Sequence, residues 1–160
     1  MAARRAEHKR PRMKSRSKVS ASVEEAEWVR NLALRTSLKA VCIDMMLTPV
    51  TIASFIARVP QRAGTVDLIQ SIVFEAGHRD GSPLDESIWD DSEMATEEEA
   101  EFLRGRLDTI AVRPYSESLG IYPERLATFM ARLPMRHDII EEMRCIVRRE
   151  KEKAARAAAR

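Results

Sequence analysis

The stretch Pro49-Val-Thr-Ile-Ala-Ser-Phe-Ile-Ala-Arg-Val-Pro-Gln-Arg62 returns 74 residues later as Pro123-Glu-Arg-Leu-Ala-Thr-Phe-Met-Ala-Arg-Leu-Pro-Met-Arg136. Both versions open on proline, whose fixed φ and missing N–H suit the first position of a helix. Ile52, Phe55, Ile56 and Val59, matched by Leu126, Phe129, Met130 and Leu133, recur at the 3.6-residue period of an amphipathic helix. Pro60 and Pro134 are expected to stop that helix after about three turns.

Outward from this block, the offset holds without a gap from Ser22–Val73 to Thr96–Val147, with 14 identities in 52 paired positions. Composition alone would leave about three or four, so the chain is a tandem duplication. Ser22 with Glu25, and Thr96 with Glu99, each spell a capping box at a helix N-terminus. Ala26, Val29 and Ala33, matched by Ala100, Leu103 and Leu107, continue that first helix. A last helix starts near Thr65 or His137 and presents Val66, Ile69, Ile72 and Val73, matched by Ile140, Met143, Ile146 and Val147.

The middle of each copy, Asn31 to Thr48 against Gly105 to Tyr122, shares no identity. Thr109-Ile-Ala-Val-Arg-Pro-Tyr115 favours an extended chain, and Pro114 opposes a helix. Leu38-Lys-Ala-Val-Cys-Ile43 reads either way, and a short strand is expected within 36–47 and 109–121. The expected fold is therefore mainly α with a short β ribbon. Two copies of a helix–strand–helix–turn–helix unit would pack as an intramolecular pseudo-dimer, because one copy is near the lower size limit for a core of its own.

The formal net charge of +2 hides strong segregation. Residues 1–21 read as a disordered basic arm carrying Arg4, Arg5, Lys9, Arg10, Arg12, Lys14, Arg16 and Lys18. Copy one spans 22–77, an acidic connector 78–95, copy two 96–147 and a basic helical tail 148–160. From Asp80 to Glu101 the chain has ten Asp or Glu and no Lys or Arg. Ile88-Trp89 within those acids is a candidate docking point for a protein partner.

The duplication also filters chemistry. Cys42 pairs with Ser116 and Cys145 with Ser71, so neither position demands a thiol. His8, His78 and His137 are scattered without metal-ligand spacing. No catalytic residues, metal or cofactor are expected. No apolar run approaches the roughly 18 residues of a membrane helix. Met1-Ala-Ala-Arg-Arg lacks the apolar core of a secretory signal, and two lone thiols suit a reducing cytoplasm.

What the copies do share is Arg58-x-Pro60-x-Arg62 and Arg132-x-Pro134-x-Arg136, each at the turn between two helices. Arginines there can cap the carbonyls of the ending helix. They can also bind an anion with the N-terminus of the next helix, whose free N–H groups and dipole favour phosphate. Arg148, Arg149 and Lys151 in the tail would add to such contacts.

Leu119-Gly-Ile-Tyr-Pro-Glu-Arg-Leu-Ala-Thr-Phe-Met-Ala-Arg-Leu133, followed by Asp138 to Val147, resembles the strand, proline entry and two helices of the ribbon-helix-helix repressors of the Arc type. In copy one, Leu47 to Ile56 and Gly64 to Ile69 play those parts. Ala53 and Ala57, or Ala127 and Ala131, ahead of the Arg-x-Pro-x-Arg turn, also resemble helix-turn-helix proteins. Either resemblance implies duplex DNA as partner. Ribbon positions Ile43, Met45 and Leu47, or Glu117, Leu119 and Ile121, are apolar or acidic, which implies contact with backbone phosphates rather than base edges. The function expected is a non-catalytic DNA-binding accessory or regulatory protein, nucleoid-associated if bacterial. The alternative is a helical interaction or scaffold module whose basic tails are secondary, and RNA stays open as a partner.

Overall fold

The computed structural model describes residues 17–76, 92–108 and 110–160. Along the chain these form β1 (Lys18–Val19), α1 (Val23–Arg35), α2 (Leu38–Met45), α3 (Pro49–Ile56), β2 (Gln61–Arg62) and α4 (Ala63–Ala76). The same succession follows as β3 (Ser92–Glu93), α5 (Glu97–Arg106), α6 (Val112–Leu119), α7 (Pro123–Met130), β4 (Met135–Arg136) and α8 (His137–Ala158). Every element of the second series begins 74 residues after its counterpart. The protein is mainly helical, with two small antiparallel strand pairs, β1 with β2 and β3 with β4.

Both capping boxes form. The Ser22 hydroxyl accepts from the Glu25 N–H at 3.2 Å while the Glu25 carboxylate accepts from the Ser22 N–H at 3.2 Å, and Thr96 and Glu99 do the same. Pro49 and Pro123 occupy the first turns of α3 and α7. These two helices pack against each other at the centre. Phe55, Phe129, Ile52 and Leu126 are fully buried there, and each aromatic ring contributes a large share of the apolar area removed from water.

The expected strands in 36–47 and 109–121 are helices instead. Ser37 caps α2 by accepting from the Ala40 N–H at 3.0 Å. Pro114 is the third residue of α6, inside the first turn, where no intrahelical N–H is required. Both helices end in a left-handed residue, Met46 (φ 54°) and Gly120 (φ 71°), so the chain turns sharply into α3 and α7. The angle between α2 and α3 is 108°. The second helix of this corner, α3, lies in the core, with Ile52, Ala53, Ser54, Phe55 and Ile56 buried.

Two boundaries also move. Lys18–Val19, assigned to the arm, and Ser92–Glu93, assigned to the connector, are strands, and Ala21 and Ala95 just after them are buried. The repeat thus reaches back to Lys18 and Ser92. The rest of the connector, with Trp89, lies outside the described residues. Helices α3 and α7 have eight residues rather than three full turns, because the chain leaves them through Arg58 and Arg132 before the prolines. No single described helix is long and apolar enough to cross a membrane.

Candidate nucleic-acid interface

The shared arginine turn divides into two roles. Arg58 (φ 57°) and Arg132 (φ 54°) take the left-handed conformation that ends α3 and α7. Each N–H of Arg58 and Val59 returns to a carbonyl of the last helical turn, Phe55 at 3.0 Å and Ser54 at 3.0 Å, and copy two repeats this with Phe129 and Thr128. The side chain then turns back. Arg58 Nε donates to the Ala21 carbonyl at 3.0 Å, and Arg132 Nε to the Ala95 carbonyl at 3.1 Å. These two arginines pin the entry of the first helix of each copy, and both are half-buried.

Arg62 and Arg136, two residues past the prolines, point outward. Their surroundings differ between the copies. In copy one Arg62 lies directly opposite Lys18 across the β1–β2 pair, and neither has a carboxylate partner among the described residues. Like charges in directly opposed positions repel, so this arrangement costs stability. Helix α4 starts at the next residue with no acid in its first turn, and its dipole adds positive potential to the same spot. The Ala63 N–H donates to the Ser17 carbonyl at 3.3 Å, which holds the arm's exit beside the helix start.

In copy two the equivalent place is neutralised. Ser92 stands opposite Arg136, and Arg136 Nη2 donates to Asp138 Oδ2 at 3.0 Å. Glu93 bonds His137 at 2.7 Å and accepts from Arg144 Nη1 at 2.8 Å. Arg144 also donates to Glu99 at 3.1 Å and Glu141 at 2.9 Å. Its ion pairs hold the Glu93 carboxyl below the usual range, with the His137 bond next in weight, and the three carboxylates raise the Arg144 pKa. Glu93, His137 and Glu141 present donor atoms within 4.8 Å of one another, but the guanidinium already bonds both carboxylates. His137 is thus hydrogen-bonded to Glu93 at the edge of the Arg144 ion-pair network.

The other candidate residues fall in three groups. Arg4, Arg5, Arg10, Arg12 and Lys14 lie outside the described residues. Arg148 and Arg149 are exposed on α8, Arg148 Nη2 lying 3.1 Å from Cys145 Sγ. Lys151 instead pairs with Glu98 at 2.7 Å and sits 5.5 Å from the Phe102 ring centre. The first turns of the tail therefore lie along α5 rather than standing free in solvent.

Lys18 is legible as a cation of the basic arm, but its strand position opposite Arg62 is not. The identity of Ala21 with Ala95, one position before the aligned segments, was the available signal that the repeat begins earlier. Among known proteins, no family model, curated protein or solved structure matches this chain.

Proposed function

We propose that this protein is a non-catalytic binder of duplex DNA, acting as an accessory or regulatory factor, with the two copies paired about a pseudo-twofold axis in one chain. The carrying observation is the opposed Lys18 and Arg62 at the positive end of α4. Cations placed together against their mutual repulsion, at the positive end of a helix dipole, suit a phosphate. The basic arm leads directly into Lys18, and Arg148 and Arg149 offer further exposed charge on α8. Contact of this kind reads charge and shape rather than base edges. Arg58 and Arg132 belong to the scaffold in this reading, not to the contact surface.

Pairing about a twofold is supported by contacts between equivalent parts. Helices α3 and α7 face each other, Arg30 of copy one bonds the turn of copy two, and its counterpart Arg104 lines a cleft with Arg58.

The alternative, a helical interaction module, is favoured by one feature: Phe74 is 86% exposed on α4 and Met46 is 89% exposed after α2. Fluorescence anisotropy with a labelled duplex and its single strand, at about 50 and about 200 mM salt, separates the readings. The DNA reading requires saturable duplex binding that weakens steeply with salt. Absence of duplex binding at the lower salt would leave the interaction module.

A further inference from the structure

A second cavity, remote from the Lys18–Arg62 strand pair in sequence and independent of the DNA reading, lies between α5, α6 and the C-terminal half of α8. Its volume is about 400 Å3, and its walls include Arg106, Ile110, Tyr115, Glu150, Lys153 and Ala154. Tyr115 is 5% exposed, and its hydroxyl has no hydrogen-bond partner among the described residues. A buried phenol normally finds a partner, because leaving its O–H unbonded sacrifices the hydration it had in the unfolded chain. Burial pushes the phenol pKa up, with the Glu150 carboxylate adding to the rise and Arg106 opposing it, so the group stays a neutral donor.

The charges around that donor are unequally committed. Glu150 accepts from Lys153 at 3.2 Å. Arg106 lies 5.4 Å from the Phe102 ring centre and has no carboxylate partner among the described residues. Two cations against one carboxylate leave the walls with one net positive charge. Ile110 and Ala154 supply apolar surface. The feature is confined to copy two: Leu32 and Val41 stand where copy two has Arg106 and Tyr115. The copies therefore diverged here toward a hydroxyl without a hydrogen-bond partner and a cation without a carboxylate partner among the described residues.

We propose that this cleft binds an organic anion with an apolar body. Its carboxylate or phosphate monoester head accepts a hydrogen bond from the Tyr115 hydroxyl and pairs with the Arg106 guanidinium, while its body lies on Ile110 and Ala154. This class fits the net charge and the mixed walls better than a bare inorganic ion, which would leave the apolar side unfilled.

Isothermal titration of the full-length protein with decanoate, decyl phosphate and inorganic phosphate tests the assignment. One of the two decyl probes should bind saturably at one site, the better of them identifying the head group, and inorganic phosphate should bind at least tenfold more weakly, a difference of about 1.4 kcal/mol. Tyr115→Phe should weaken the preferred probe about tenfold, the loss of one hydrogen bond to a charged group. Arg106→Leu, which restores the residue of copy one, should abolish binding. Tyr115→Phe should also raise the thermal midpoint without probe, since it removes an unbonded hydroxyl. The proposal is overturned if neither decyl probe saturates, if inorganic phosphate binds equally well, if Tyr115→Phe binds like the parent, or if that variant melts lower because the hydroxyl is bonded within the protein.

Discussion

Arg30 in α1 donates from Nη2 to the main-chain carbonyl of Arg132 at 2.8 Å and from Nε to that of Ala131 at 3.3 Å, so a side chain of copy one closes the end of α7 in copy two. Its counterpart Arg104 pairs with Glu101 on its own helix instead. Burial, and then the neighbouring Arg132, lower the Arg30 pKa, which is the mark of a cation placed inside an interface. Arg30→Met should therefore lower unfolding free energy by about 2 kcal/mol in urea titrations, the loss of charge-assisted bonds to buried carbonyls. Arg104→Met, which removes a partly exposed pair, should cost less than about 1 kcal/mol.

The two arginines of each turn should separate cleanly under mutation. Arg58→Ala loses the bond to the Ala21 carbonyl and keeps a left-handed backbone, so it should destabilise by about 2 kcal/mol in the same assay. Arg58→Gly should cost less, because glycine accepts that backbone freely. Arg62→Ala should change stability by less than about 0.5 kcal/mol, as expected for an exposed residue.

Much of the architecture could be read from residue patterns, and the failures have local causes. The capping boxes at Ser22 and Thr96 and the prolines at 49 and 123 fix helix starts through short-range bonds, so sequence spacing suffices to find them. Pro114 misled because its effect depends on position: in a helix interior it removes a bond, but as the third residue of α6 it removes none. Strand pairs of two residues carry no periodicity, so Lys18–Val19 and Ser92–Glu93 left no pattern to find. The candidate interface was half legible for a related reason. Arg58 and Arg62 look equivalent in the motif, and only the positive φ at Arg58 turns one inward and leaves the other at the surface.

Acidification should loosen copy two at the β3–β4 pair. The Glu93 carboxyl is more acidic folded than its ordinary value of 4.5, mainly through Arg144 and then His137. Its contribution to stability is thus complete above that value and lost as pH falls from 4.5 through the lower folded value. Thermal melts of the parent and Glu93→Gln should differ at neutral pH and converge in that acidic window. A difference that persists unchanged at low pH would assign the effect to packing rather than to the ion pairs.

The central packing of α3 on α7 should tolerate little truncation. Phe55→Ala or Phe129→Ala removes a fully buried ring and should cost about 3–5 kcal/mol, with loss of helical signal in both copies if they unfold as one unit. Two separate transitions in circular dichroism would show instead that the copies fold independently.

The opposed cations of copy one give the sharpest test of phosphate contact. Duplex affinity measured across salt concentration yields a log–log slope that falls by about 0.9 for each phosphate contact removed. Lys18→Ala/Arg62→Ala should therefore reduce the slope by about 1.8 and weaken binding at low salt, while leaving the thermal midpoint unchanged or slightly raised through relief of repulsion. An unchanged slope and affinity in this double variant would contradict the assignment of the Lys18–Arg62 strand pair as the DNA-binding surface.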